Sequence, residues 1–382
     1  MNKRTLYAAG YAFARTCIAG PFSRLVRYRG PLLRDLPEPF IVIPNHTMDL
    51  DFFLVMRSIP SKMAFVIGET LFQNGLMRTL LTKLHDPIII RKGGVNLQAV
   101  VEILSRLRGG HNVCLFAEGN TCFDGVTGPI PPGTARMVRM SGASLVTFRV
   151  HGGYLTQPRW GRGLRRGKTW GEVGNVYTPQ QLKDMTDAQL DEAMKQDLFV
   201  DAAQDQQAQP IAYHGRNRAQ GIENALYLCA GCQAVGSLRG DGDQLTCTAC
   251  GAGAIYTHEG ALEGDFPHRQ MRDWIAWQRQ ALAAMAAETG FALTDDNYVL
   301  SQVNEQHGLE ELARGTLRMD WQGLSVGNWS MPLEDVRGLA IYRKNRLLMT
   351  DRKGNHYDFD SENPRSALKY RDLLEILRHK EG

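Results

Sequence analysis

A chain of 382 residues is too long for one ordinary hydrophobic core and points to two or three domains. Its 43% hydrophobic and 22% charged residues exclude a disordered or low-complexity protein, and a net charge of +4 allows an anionic partner without demanding one. No apolar run reaches the roughly 18–20 residues that a membrane-spanning helix needs.

The longest such run, residues 6–18, is interrupted by Arg15. Lys3 and Arg4 ahead of it imitate a secretory leader, but Arg15 and Cys17 are poor flanks for cleavage. Residues 1–34 are expected instead as an amphipathic basic helix. In it Arg15, Arg24, Arg27 and Arg29 surround Leu6, Tyr7, Phe13, Ile18, Phe22 and Leu25. Such a helix suits either an anionic membrane surface or packing on its own domain.

Ile41-Val42-Ile43 reads as a buried strand ending in Pro44-Asn45, with His46 next and Asp51 five positions on. Residues i and i+5 lie about 140° apart on a continuous helix, so the two can meet only if the chain turns between them. Thr47 and Asp49 are candidate helix caps that place His46 on the loop and Asp51 in the first helical turn. A carboxylate there holds one imidazole nitrogen and leaves the other as a base.

Residues 62–67 and 87–91 read as strands around a helix at 71–84, and residues 97–107 carry apolar positions at helical spacing. The strand 112–116 runs into Ala117-Glu118-Gly119-Asn120, followed by a helix at 133–141 and a strand at 144–150. Alternating strands and helices argue for an α/β domain with its site at strand ends. Three strands end in polar groups, His46 with Asp51, Arg91, and Glu118-Gly119, and are expected to converge on one crevice.

These blocks resemble the glycerolipid acyltransferases typified by 1-acylglycerol-3-phosphate acyltransferase. Asn45-His46-Thr47-Met48-Asp49-Leu50-Asp51 matches that family's first motif. Ile88-Ile89-Ile90-Arg91 is similar to the second, Phe116-Ala117-Glu118-Gly119-Asn120 to the third and Leu145-Val146-Thr147-Phe148-Arg149-Val150 to the fourth. The third departs from the usual pattern at Ala117, where proline is common, and at Asn120, where threonine or serine is. The resemblance implies a catalytic pair, His46 and Asp51, and an acceptor site formed by Arg91, Glu118, Gly119 and Asn120.

The chemistry suits that reading. An alcohol is barely ionised at neutral pH, so its attack on a thioester needs a base, which His46 supplies while Asp51 fixes the tautomer. Arg91 would hold an anionic acceptor group bidentately. Glu118 would orient Arg91 or an acceptor hydroxyl, and Gly119 would let backbone N–H groups approach the ligand. Cys122 is a rival nucleophile without a base of its own.

The run from Arg159 to Trp170 has five cations and two tryptophans. It suits phospholipid head groups or coenzyme A phosphates, a solvated loop, or an RNA-binding patch. Thr178 and Thr186 open two helices, the second reaching about residue 203, and the Gln-rich stretch 204–209 is expected as a linker.

Cys229-x2-Cys232 and Cys247-x2-Cys250 give the spacing of a closed four-thiolate site, which implies a structural Zn2+ in a ribbon at 222–258. Only Arg239 lies between the pairs, which argues against nucleic acid as the partner. A helix at 265–290 follows. Short strands and turns over 291–382 end in a helix at 364–378, an order that resembles a pleckstrin-homology-like barrel. Arg343, Lys344, Arg346, Arg352 and Lys353 suit either an anionic lipid or a solvated edge.

The expected fold class is α/β: a layered acyltransferase domain at 35–205, a small zinc ribbon, and a mostly-β C-terminal domain. The expected activity moves a fatty acyl group from acyl-CoA or acyl carrier protein to a lysophospholipid such as 1-acylglycerol-3-phosphate. The expected location is the cytoplasm, peripheral at the inner face of a phospholipid membrane. Two alternatives stay open. The same fold could acylate a non-glycerolipid alcohol or amino lipid, or it could be a catalytically silent lipid- or protein-binding adaptor.

Overall fold

Strand β1 (Phe40–Pro44) is buried at every position, so both its faces must be covered. Ile41 and Ile43 face one core cluster and Phe40 and Val42 another, which sets helices on both sides of a sheet. The protein, seen in a computed structural model, is described at residues 3–68, 87–90, 97–304, 308–361 and 366–379, with side chains from residue 7. The helix expected at 71–84 and Arg91 lie outside the described residues. The chain divides into two compact units, 1–159 with 163–215, and 160–162 with 216–382.

In the first unit β1 lies centrally, parallel to β4 (Asn112–Cys114) and to β5 (Ser144–His151). β2 (Met63–Gly68) joins β4, and β3 (Ile88–Ile90) joins β2, both in parallel. β6 (Trp170–Tyr177) closes the other edge antiparallel to β5, giving the order β3-β2-β4-β1-β5-β6. Helices α1 (Lys3–Phe13), α2 (Ala19–Leu25) and α3 (Asp51–Ser58) cover the Phe40/Val42 face. A π-helical turn, Ala14–Ile18, joins α1 to α2. The Ile41/Ile43 face is covered by α4 (Leu97–Arg108), α5 (Thr134–Ser141), α7 (Pro179–Asp184) and α8 (Asp187–Leu198). The short α6 (Gly153–Thr156) follows β5.

Thr178 and Thr186 each form a capping box, with Gln181 and Gln189, as their sequence predicts. The second helix stops at Leu198, short of the expected end. Val200 leaves it to accept from Thr127 N and to donate to Thr127 Oγ1, both at 2.9 Å. The Gln-rich stretch is helical rather than a linker: α9 (Ala202–Ala208), capped by Asp201, belongs to the first unit.

The basic run 159–170 is mostly not a solvated patch. Trp160 and Arg165 are buried, and Arg159 donates to Thr121 O at 2.9 Å while lying 4.4 Å over the Phe123 ring. Lys168 binds Gln209 Oε1, Trp170 starts β6, and Arg162 and Arg166 are exposed.

In the second unit, strands β7 (Leu238–Asp241), β8 (Gln244–Cys247), β9 (Gly253–Tyr256) and β10 (Leu262–Gly264) form an antiparallel sheet beside the cysteine pairs. Helix α10 (Met271–Met285) packs on the ribbon through Trp274 Nε1, which donates to Leu228 O, and through Gln278, which pairs with Tyr227 N and Ala225 O. β11 (Leu293–Val303), β12 (Leu309–Met319), β13 (Gly323–Val326) and β14 (Trp329–Pro332) form one half of a seven-stranded antiparallel sheet. β15 (Val336–Tyr342), β16 (Arg346–Asp351) and β17 (His356–Ser361) form the other, with β11 pairing β17. The C-terminal helix α11 (Leu368–His379) ties Asp372 to Tyr227 OH at 3.0 Å and Lys369 to Asp295 at 2.7 Å. The fold is thus a mixed α/β N-terminal domain followed by a cysteine cluster and a mostly-β C-terminal region.

Candidate active site

The crevice of an open parallel sheet lies at the carboxyl ends of its strands. β1 ends at Pro44 and β4 at Cys114, and the first polar groups beyond them meet there. Asn45 is fully buried, and its carboxamide pairs with both backbone groups of Val150 on β5, Nδ2 to O at 3.0 Å and Oδ1 from N at 2.6 Å. His46 follows, partly exposed, with its ring against Phe116 at 4.6 Å.

The structure brings His46 and Asp51 together, Nδ1 to Oδ2 at 3.2 Å. Asp51 opens α3, but neither Thr47 nor Asp49 caps that helix; Leu50 stands at its N-cap. Asp51 instead reaches back to close the loop. Its Oδ2 accepts from Thr47 N at 2.6 Å and Met48 N at 3.0 Å, and its Oδ1 accepts from Thr47 Oγ1 at 3.0 Å. With Nδ1–H donating to this fully buried carboxylate, the other nitrogen, Nε2, carries the lone pair a base needs.

Glu118 sits in the turn after β4. Its Oε1 accepts from His46 N at 2.6 Å and its Oε2 from Gly128 N at 2.5 Å. Burial pushes its carboxyl up to about 8, against the two backbone bonds that favour its charged form; Asp51 and Asp124 nearby add to the rise. Gly119 has φ +69 and donates its own N–H to Phe116 O at 3.0 Å, so the glycine serves a tight turn. Asn120 follows, partly buried. Arg91 lies outside the described residues.

Burial, with Asp124 and Glu118 nearby, raises the Cys122 thiol well above its ordinary range, which keeps it protonated and a poor nucleophile. A second imidazole–carboxylate pair, His151 Nδ1 with Asp205 Oδ2 at 2.8 Å, was not foreseen from the sequence. Trp170 stacks flat on that imidazole at 4.7 Å, and the residue is 8% exposed. It is a packed pair. Asn45 is the other residue that sequence reasoning passed over as a strand end, because its partner lies 105 positions away.

The four ribbon cysteines offer their sulfurs within 4.8 Å of one another, with Cys229 to Cys250 at 3.9 Å and Cys232 to Cys247 at 3.8 Å. A tetrahedron of Zn–S bonds near 2.3 Å has edges of about 3.8 Å, so the donor set fits a zinc ion. Gly231 N–H and the Ser237 hydroxyl lie 3.4 and 3.2 Å from Cys229 and Cys247 Sγ, contacts suited to thiolates.

The sequence model of the Acyltransferase family matches residues 26–151, a segment holding His46, Asp51, Arg91, Glu118 and Gly119. Among solved structures, the 1-acyl-sn-glycerophosphate (LPA) acyltransferase PlsC from Thermotoga maritima is similar at 16% identity and TM-score 0.38, over 48% of this chain and 78% of that one. The N-terminal PH domain of human ARAP2 is similar at 12% identity and TM-score 0.17, over 24% of this chain and 81% of that one. Overlaps this loose establish no shared fold. The family match rests on residues 26–151, the segment that carries the His46–Asp51 pair, and it identifies that segment as an acyltransferase domain.

Proposed function

We propose that the protein transfers a fatty acyl group from a thioester, acyl-CoA or acyl carrier protein, to a hydroxyl of a lysophospholipid such as 1-acylglycerol-3-phosphate. The observation that carries this reading is the His46–Asp51 pair on a loop whose backbone is fixed by two carboxylates. His46 Nε2 takes the acceptor's proton as its oxygen attacks the thioester carbonyl. The tetrahedral intermediate then collapses, expelling the thiolate, which takes a proton to leave as the thiol. Asp51 stabilises the imidazolium that forms. Arg91 and Asn120 are proposed to hold the acceptor.

The N-terminal segment supports a lipid surface as the place of work. Tyr11, Ala14, Ala19 and Val26 are packed in the core, whereas Phe13, Ile18, Leu25 and Leu32 are 57, 40, 42 and 48% exposed beside exposed Arg24, Arg27, Arg29 and Arg34. Among the described residues no helix is long and apolar enough to cross a membrane. Exposed apolar side chains interspersed with cations along one segment suit shallow insertion among anionic lipids.

The pleckstrin-homology-like reading of the C-terminal sheet is likewise a proposal. It rests on antiparallel strands followed by one helix, and its expected basic patch is reduced. Arg346 is paired with Asp358 at 2.7 Å and Lys344 donates to Gly161 O, while Arg343, Arg352 and Lys353 are exposed. Docking to lipid or protein is its proposed role.

The test is product analysis. Purified protein with acyl-CoA and lysophosphatidate in anionic vesicles should form phosphatidate, identified by mass. Product on another alcohol or amino lipid, with none on lysophosphatidate, would replace the acceptor and keep the reaction.

A further inference from the structure

We propose that Glu118 is a positioning residue for His46 and not a ligand of the acceptor; this rests on the acyl-transfer reading above. The argument begins with its two oxygens. Oε1 accepts from the backbone N–H of His46 and Oε2 from that of Gly128, at 2.6 and 2.5 Å. These are short bonds, and they point both oxygens at protein backbone.

The contact with His46 completes a pattern along the loop. The N–H of His46 goes to Glu118, and those of Thr47 and Met48 go to Asp51. The residue before them, Asn45, is pinned to Val150 through its side chain. Four consecutive residues are therefore held by groups from β5, from α3 and from the turn after β4. Asp51 sets the imidazole through Nδ1, but Glu118 sets the peptide from which that side chain grows. Without it, the His46 end of the loop keeps its tie to Asp51 and loses its tie to β4.

The geometry also explains the residue type. Two N–H donors converge on two atoms, so both atoms must accept. A carboxyl group does this whether ionised or protonated, because its hydroxyl oxygen keeps a lone pair. Glutamine would turn an NH2 group, which cannot accept, toward one of the donors, and aspartate is one methylene too short. This requirement is independent of the acceptor's head group. The turn can therefore differ at Ala117 and Asn120 while still needing glutamate at 118.

Gly128 gives a second handle on the same contact. Its backbone is not left-handed, so alanine is compatible there, but a Cβ would lie 3.0 Å from Glu118 Oε2. Gly128→Ala therefore presses on the Glu118 carboxylate while bringing no polar group to an acceptor.

The experiment measures initial rates against lysophosphatidate concentration at saturating acyl-CoA, for the wild-type chain, Glu118→Gln and Gly128→Ala. Displacing a base by a fraction of an ångström to 1 Å costs about 10- to 100-fold in rate. Both variants should lose that much kcat with the acceptor KM changed by less than about threefold, since positioning acts on the chemical step. A KM raised about tenfold or more with kcat retained in Glu118→Gln would make Glu118 an acceptor ligand and overturn the proposal. A Gly128→Ala chain equal to wild type would also overturn it. Amide hydrogen exchange at His46 reads the contact without turnover, so it stands even if lysophosphatidate proves to be the wrong acceptor. Exchange about tenfold faster in Glu118→Gln is expected, and unchanged protection would contradict the proposal.

Discussion

Asn45 and Val150 form a two-bond pair between the end of β1 and the end of β5, the carboxamide standing in for a strand residue. The pair fixes the last residue before His46. Asn45→Ala leaves a buried N–H and a buried C=O on Val150 without these partners, at a cost of about 1–3 kcal/mol each. Urea unfolding should show a loss of about 2–6 kcal/mol, and Asn45→Asp, which keeps an acceptor but no donor, should not fully restore it.

Thr47 and Gly153 approach so closely that a Cβ on Gly153 would lie 2.0 Å from Thr47 Oγ1 and 3.3 Å from Asp51 Oδ1. Gly153→Ala should displace the hydroxyl that donates to Asp51 and lower kcat by about 10- to 100-fold. Removing the obstruction should relieve part of this loss. The Thr47→Ala/Gly153→Ala double variant is expected to be faster than Gly153→Ala alone, a non-additivity that steady-state rates would reveal.

Glu118 also makes a pH-dependent contribution to stability. Its carboxyl is raised by burial to about 8 from 4.5. The native state then keeps a proton that the unfolded chain has lost, so stability falls as pH rises between those values. The contribution is fully present below about 4.5 and lost as pH passes about 8. The neighbouring titratable groups, His46, Asp51 and Asp124, are common to wild type and Glu118→Gln. The wild-type melting temperature should therefore fall more steeply than that of Glu118→Gln from pH 5 to pH 8.5. Parallel curves would show that the carboxyl is not raised.

Both cysteine knuckles turn through a left-handed residue after their second cysteine, glycine in one and glutamine in the other. Gly251 follows Cys250 at φ +78, and Gln233 follows Cys232 at φ +61. Left-handed backbone costs a residue with a Cβ about 1–2 kcal/mol, and glycine's extra freedom when unfolded takes back about half of that. Gln233→Gly should stabilise the ribbon by about 0.5–1 kcal/mol in thermal melts. If the four thiolates hold a zinc ion, strong chelation should lower the unfolding temperature of the second unit, and added Zn2+ should restore it.

β1 was legible because it is covered on both faces and reads as an unbroken apolar run, and β5 because apolar residues dominate a strand in which every position but Arg149 is buried. β6 was not. Its half-buried residues alternate poorly, and the basic run before it looks like a surface patch until Arg165 is seen buried and Arg159 seen holding Thr121. β14 is only four residues long, Trp329 to Pro332, and was hidden behind the turn at Gly327-Asn328. At the site, the spacing of His46 and Asp51 announced their meeting because five residues permit only a turn. The partners of Glu118 and Asn45 are 72 and 105 positions away, a distance over which sequence carries a motif but no contact.

The most direct test of the account is acceptor-dependent release of free thiol from acyl-CoA by the wild-type chain and by His46→Ala, both with matched metal content and native melting behaviour. If His46 is the base, lysophosphatidate should stimulate release by the wild-type chain, and the variant should lose about 100-fold or more of that stimulated rate. Stimulated release that survives intact in His46→Ala would contradict the account, and with it the role given to Asp51.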